Sequence, residues 1–336
     1  MVAGQSSNFK SNPEILIIGA GSLGSRHLQG LGKIKNKFNI TVLDPNNSAL
    51  SKSKLRYKEI AKSNPYHTVN FVNSLDLIRN SADLAIIATT ADIRFKVIKS
   101  LLKQCFTKFL ILEKVVFQTI NDFKVILNLL DKKGIKAWVN CPRRVMPFFI
   151  QLKERTCKSS RVEILVKGSN WGLACNAIHF IDLLSFLSGQ LKVDINESML
   201  EKKIFKSKRK GFIELGGTLT ATTNRGDFLK LIDQRNDNLN FKTIISFDNI
   251  VIEIDQQNGL VKEYLKGESE NYNQEEYSLP LQSDLTGCQV IEILNNNDPG
   301  LTSLHESSGF HIPLIQGINQ HLSTIMQKEI KICPIT

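Results

Sequence analysis

No two of the six cysteines, Cys105, Cys141, Cys157, Cys175, Cys288 and Cys333, stand in a Cys-x-x-Cys pair. That absence removes the common zinc spacings and the disulfide-framework class, so no metal is expected and the thiols are read as reduced. No apolar run approaches the about 20 residues that a bilayer span needs. The most apolar stretch, residues 178–187, is short and broken by His179 and Asp182. The first residues, MVAGQSSNFKSNP, hold no secretory apolar segment and read as an exposed arm, so the cytoplasm is the expected location. Internal repeats and low-complexity tracts are missing too. The densest basic run, residues 202–210 (KKIFKSKRK), has apolar residues only at Ile204 and Phe205. It lacks the interleaved aromatics that stack bases, so it reads as a solvated strand end or loop rather than a nucleic-acid site.

What is present is ordinary globular composition. The 336 residues are 42% hydrophobic and 22% charged, enough chain for two domains with sizeable cores. A formal charge of +11 fits an anionic cofactor and an anionic small-molecule substrate as well as it fits nucleic acid. From residue 14 to about 140, short β-rich apolar runs (EILIIG, FNITVLD, DLAIIAT, FLILEK, IKAWVN) alternate with helical stretches over residues 22–34, 92–102 and 121–130. Continuous rather than alternating apolar strands imply helices on both faces, hence an α/β, doubly wound parallel sheet. Thr119 is placed to cap the last of those helices.

After Asn140-Cys141-Pro142 the pattern changes, and proline punctuation puts the domain boundary there: 1–141 and 142–336. A helix over residues 173–187 precedes candidate strands 228–232, 241–246, 250–254 and 260–264, separated by turn residues that include Asn258-Gly259. Helical segments 281–294 and 303–326 follow. The second domain is therefore read as α+β with an antiparallel sheet.

The chemistry-bearing signal lies at Gly19-Ala20-Gly21-Ser22-Leu23-Gly24, a G-x-G-x-x-G run directly after the first strand and opening a helix. Gly19 permits the tight turn, Gly21 lets backbone approach a pyrophosphate, and Gly24 lets helix and strand pack closely. Ser22 and Leu23 open the helix whose N-terminal amides face the phosphates. Asp44, 20 residues after Gly24 at the end of the second strand, is placed to accept hydrogen bonds from a ribose. A carboxylate there repels a 2′-phosphate, so NAD is expected over NADP.

These residues, with Arg26-His27, Glu113-Lys114 ending the fifth strand, Arg143-Arg144-Val145-Met146-Pro147, Ile178-His179-Phe180-Ile181-Asp182 and the closing Cys333-Pro334-Ile335-Thr336, resemble the glucose-fructose oxidoreductase/inositol dehydrogenase/rhizopine-catabolism (Gfo/Idh/MocA) oxidoreductases. The resemblance implies a Rossmann domain followed by a domain on an open, largely antiparallel sheet, a homodimer or homotetramer, and a sugar, cyclitol, sugar-acid or nucleotide-sugar substrate. It implies a cofactor site that also takes in Thr89 and Glu113. His179 is the expected acid–base residue, since a neutral imidazole suits the removal of a hydroxyl proton. Lys114 is the expected electrostatic partner, and Asp182, three residues on and on the same helical face, the expected orienter of the ring. Arg143, Arg144, Asn176 and His311 are expected to meet substrate. Two positions depart from the family pattern: Val115 stands where proline usually follows the lysine, and Cys175 where an aspartate often precedes the histidine. A nicotinamide-binding regulator or partner subunit without catalysis is the alternative those departures suggest.

Overall fold

The computed structural model describes residues 12–61, 66–235 and 238–336; the expected N-terminal arm lies almost wholly outside them. In chain order the first elements are β1 (Glu14–Ile18), α1 (Ser22–Gly32), β2 (Asn39–Leu43), α2 (Asn47–Ala61), β3 (Thr68–Val72), β4 (Ser81–Ile87) and α3 (Ala91–Gln104). They continue as β5 (Phe106–Glu113), α4 (Ile120–Lys133), β6 (Lys136–Asn140), α5 (Pro147–Thr156), β7 (Val162–Gly168) and α6 (Leu173–Ser188). Next come β8 (Val193–Asn196), β9 (Leu200–Lys206), β10 (Ile213–Thr223), β11 (Phe228–Asp233), β12 (Lys242–Phe247) and β13 (Ile250–Asp255). The chain ends with β14 (Leu260–Leu265), β15 (Tyr272–Glu276), α7 (Gln282–Leu294), β16 (Thr302–Ser303) and α8 (Leu304–Met326).

Two compact units are present. The first comprises residues up to Phe117, Asp122–Val145 and Pro280–Leu304. Its seven-stranded sheet runs β16-β6-β5-β4-β1-β2-β3, parallel throughout except for β16 against β6. The order reverses between β1 and β4, the switch point at which doubly wound sheets open a crevice at their carboxyl ends. Ile15, Ile17, Leu84, Ile86 and Ile111 are buried on one face and Leu16, Ile18, Ala85, Ile87 and Leu110 on the other, which is why these strands read as unbroken apolar runs.

Two contiguous domains were expected, with α7 in the second. Instead α7 and β16 return to the first unit. Val290 and Ile293 of α7 share one apolar cluster with Leu28 and Leu31 of α1. The two helices approach closely because glycines face the contact: a Cβ on Gly30 would lie 2.8 Å from Thr286 Cβ, and one on Gly287 would lie 2.5 Å from Ile34 Cδ1. A helical pattern alone carries no information about which distant helix it will meet.

The second unit is Gln118–Asn121, Met146–Leu279 and His305–Thr336. Its nine-stranded sheet runs β15-β14-β13-β12-β7-β11-β10-β8, with β9 also on β10, and is antiparallel except where β7 meets β11. The run Lys202–Lys206 lies in β9, paired to β10, and Lys208, Arg209 and Lys210 occupy the turn between them, all exposed. Across the described residues no helix is long and apolar enough to cross a membrane.

Helix α6 is seated on this sheet by aromatic contacts: Phe180 meets Trp171 edge-on at 5.7 Å and Phe241 at 6.2 Å. Its N-terminal amides are satisfied from the strands below. Asp233 accepts from the N–H groups of Asn170, Gly172 and Leu173, and Glu214 accepts from those of Ala174 and Cys175. Phe180→Ala is therefore expected to lower the stability of the protein by about 3–5 kcal/mol, the range for deleting a buried ring. A urea unfolding curve with a lower midpoint and unchanged slope checks it.

Candidate cofactor and active site

The residues expected to hold the cofactor gather at the carboxyl ends of β1, β2, β4 and β5, all within the first unit. Gly19 adopts φ +100°, a region open to glycine, and its N–H donates to the Leu43 carbonyl at 2.8 Å. A Cβ at Gly19 would also press on the Ala88 backbone at 2.9 Å. Gly24 is tighter still, since a Cβ there would lie 1.7 Å from the Gly19 carbonyl oxygen. Gly21, in contrast, would point a Cβ into open space, with no protein atom within 4 Å. The loop is thus compressed at its first and third glycines and open at its second, which is what backbone contact with a pyrophosphate requires.

Gly21 caps α1 without a side-chain acceptor, and no acidic residue occupies the first turn, so the amides at Ser22 and Leu23 keep their positive end unneutralised. Asp44 closes the cradle from the second strand. Its Oδ2 accepts from the Ala20 N–H at 2.7 Å and its Oδ1 from the Asn46 N–H at 2.8 Å. Capping of α2 falls to Asn46, whose Oδ1 accepts from Ser48 and Ala49. On the neighbouring loop, the Thr89 hydroxyl is buried and has no hydrogen-bond partner among the described residues. An open backbone cradle, an uncapped helix start and an unmatched hydroxyl together fit a dinucleotide.

Glu113, expected beside the cofactor, is held by protein groups. Its Oε1 accepts from His27 Nε2 at 2.8 Å and from Asn140 Nδ2 at 2.6 Å, and His27 Nδ1 reaches Thr286 Oγ1 at 2.9 Å. Burial pushes this carboxyl upward, but the His27 and Asn140 donors and the charges of His27 and Arg94 hold it below the usual carboxylate range. Lys114 follows, half-buried, and the Lys114–Val115 peptide bond is cis.

Arg143 and Arg144 lie half-buried in a 3-10 turn at Pro142–Val145, at the end of the same unit. In the second unit, His179 is half-buried on α6 and Asp182 wholly buried on it. Asn176 Nδ2 donates to the Trp171 carbonyl at 2.9 Å. Glu214, from β10, accepts from the Cys175 N–H at 3.4 Å; burial raises its pKa, against the lowering effect of the Cys175 thiol and N–H, Arg235 and the Ala174 N–H. His311, expected beside substrate, is fully buried in α8, where its Nδ1 contacts Ser307 of the same helix at the carbonyl (2.9 Å) and hydroxyl (3.1 Å).

Sequence reading missed the His27–Glu113–Asn140–Thr286 network and the buried Arg94. For Arg94 a signal existed: it stands in step with Ile98, Leu101 and Leu102, on the apolar stripe of α3.

A parallel sheet of this order, an open glycine cradle and a carboxylate ending the second strand define a dinucleotide-binding domain of the Rossmann class. Residues 14–141 match the model of the Gfo/Idh/MocA oxidoreductase family, NAD-binding Rossmann fold, so over that stretch the chain is similar to that family's nucleotide-binding domain. No curated protein sequence matches the chain. Among solved structures, an oxidoreductase from Agrobacterium radiobacter in complex with NAD+, L-tartaric acid and magnesium is similar at TM-score 0.67 and 12% identity, over 93% of this chain and 97% of that one. UDP-N-acetylglucosamine 3-dehydrogenase GnnA from Acidithiobacillus ferrooxidans is similar at TM-score 0.64 and 14% identity, over 91% and 97%. A dehydrogenase (MviM) from Clostridium difficile is similar at TM-score 0.65 and 16% identity, over 92% and 100%. At these identities the likeness is one of fold.

The two glycines separate binding from folding. Gly24→Ala is expected to destabilise the protein and abolish NADH binding together. Gly21→Ala should leave stability within about 1 kcal/mol of the parent while weakening NADH, as read by nucleotide fluorescence and thermal melting.

Glu113 predicts a pH dependence. A carboxyl held below its ordinary value stabilises the fold fully above the ordinary carboxylate range and loses that contribution as pH falls through the lowered value. Glu113→Gln should therefore be less stable than the parent at neutral pH, by about 1–3 kcal/mol, and should converge on it in acid. Urea midpoints across the acid range measure this.

Proposed function

We propose that the protein exchanges hydride between NAD and a CH–OH or ketone carbon of a sugar, and that this sugar is anionic: a nucleotide sugar or sugar acid of surface-glycan synthesis. The observation that carries the reading is the cradle, open at Gly21 and closed by Asp44. When bound, the nicotinamide supplies the hydride chemistry.

In this reading the chain's own groups handle proton and charge. His179 takes the hydroxyl proton in oxidation and returns it in reduction, with Asp182 orienting the imidazole. The Lys114 ammonium stabilises charge developing on the substrate oxygen. Arg143 and Arg144 hold the anionic part of the substrate through their planar forks, with Asn176 beside them in role. The excess of 43 Lys and Arg over 32 Asp and Glu favours such a substrate. The names of two fold relatives, one acting on UDP-N-acetylglucosamine and one bound to L-tartaric acid, point to the same class.

A screen of nucleotide sugars, sugar acids and neutral sugars against NAD reduction tests the substrate class; turnover confined to neutral sugars would exclude the anionic reading. No turnover with any carbohydrate, alongside tight NADH binding, would instead favour the non-catalytic subunit. With a substrate in hand, His179→Ala should slow single-turnover hydride transfer by about 10²–10⁴-fold while NADH affinity survives. A rate within about threefold of the parent removes His179 from the mechanism. NAD(H) should bind more tightly than NADP(H), and Asp44→Ala should narrow the difference; dissociation constants for both decide it.

A further inference from the structure

Arg94 is 1% exposed, on the stripe of α3 that carries Ile98, Leu101 and Leu102 into the core. A guanidinium taken out of water must be repaid in hydrogen bonds. Arg94 finds them on main-chain carbonyls: one nitrogen donates to Val115 O and, at 2.8 Å, to Val116 O, and another to Thr89 O. Thr89 follows β4, and Val115 and Val116 follow β5, its hydrogen-bonded neighbour in the sheet. A single planar fork thus ties together the exits of two adjacent strands. One of those exits begins at Lys114, one residue before the first carbonyl that the fork holds; the other carries the Thr89 hydroxyl, buried without a hydrogen-bond partner among the described residues.

We infer that Arg94 is a positioning residue for Lys114: its guanidinium clamps the backbone on the carboxyl side of the lysine to the loop after β4, and so fixes where the ammonium stands. The inference rests on the role given to Lys114 above. Its physical content is the fork. Three carbonyls spread over two loops call for donors in fixed directions, which a guanidinium offers and a lysine ammonium, a point charge on a flexible stem, does not. The positive charge also remains close enough to act on Glu113, the residue immediately before Lys114.

The test uses the full chain with Arg94→Lys, which keeps the charge and loses the fork, and Arg94→Met, which loses both. Acylation of Lys114 by acetic anhydride is followed against pH by mass spectrometry, with the exposed Lys103 as internal reference. Amide hydrogen exchange is followed across residues 113–118. Both variants are expected to change the Lys114 labelling rate by roughly tenfold at fixed pH, the effect of moving its ionisation by one pH unit. Exchange across 113–118 should rise, with Lys103 unaltered and NADH still bound. A folded Arg94→Lys variant whose Lys114 profile and 113–118 exchange match the parent overturns the inference. So does failure of both variants to fold, which would make the arginine a structural element and no more. Retained turnover in Lys114→Ala would remove the lysine from the chemistry but leave the labelling result standing, because that readout does not depend on activity.

Discussion

At position 24 the chain has room for a hydrogen atom and nothing larger. A Cβ would collide with the Gly19 carbonyl oxygen at 1.7 Å, so the first turn of α1 lies directly against the loop leaving β1. That contact brings the amides at the start of the helix to the mouth of the switch point between β1 and β4. It also leaves Ala20 where its N–H can reach Asp44, so the second strand becomes a wall of the same cradle. Loop, helix start and carboxylate are held as one piece, and the dinucleotide site depends on that piece.

Away from the cradle, buried polar groups do the positioning. In the first unit Glu113 joins α1, β5, β6 and α7 through His27, Asn140 and Thr286, while Arg94 joins the exits of β4 and β5. In the second, Asp233 and Glu214 take up the N-terminal amides of α6, with Arg235 3.4 Å from one and 3.9 Å from the other. Each arrangement satisfies groups that cannot reach water, and each leaves a segment to which the proposal gives a role, the β5 exit or the His179 helix, with little freedom.

Much of this was legible along the chain, and the reasons are specific. β1, β4 and β5 announced themselves because burial on both faces leaves unbroken apolar runs, and β2 (NITVL) and β6 (KAWVN) were readable as short β-rich segments between helical stretches. β3 (TVNFV), an edge strand that only packs Val69 and Phe71 partly against the core, gave no such run, and α2 (NSALSKSKLRYKEIA) is too polar to show a strong stripe. β7 and β10 lie inside the second sheet, yet they were overlooked because no turn dipeptide as plain as Asn258-Gly259 brackets them. At the candidate site, the strand-to-helix turn at the glycines and the place of Asp44 at the end of the second strand were readable from spacing. The enclosure of His311 and the engagement of Glu113 were not, because a residue's name does not say whether its partner will be a ligand or a neighbouring helix.

The sequence by itself determined the local geometry that a few covalent facts enforce: where glycine alone fits, which runs must be buried, and that a carboxylate ends the second strand. It also supplied Lys114, His179 and Asp182, the titratable groups to which the proposed chemistry is assigned. Tertiary structure decided everything that depends on contact between distant segments. It returned residues 280–304 to the first unit, placed Thr286 on His27 across 259 positions, brought Glu214 beneath α6 and put Arg94 under the lysine loop. The physical reason is that backbone sterics and hydrophobic periodicity act over a few residues and are written in order along the chain. The partner of a buried polar atom is whatever close packing brings to it, and packing is settled only by the whole fold.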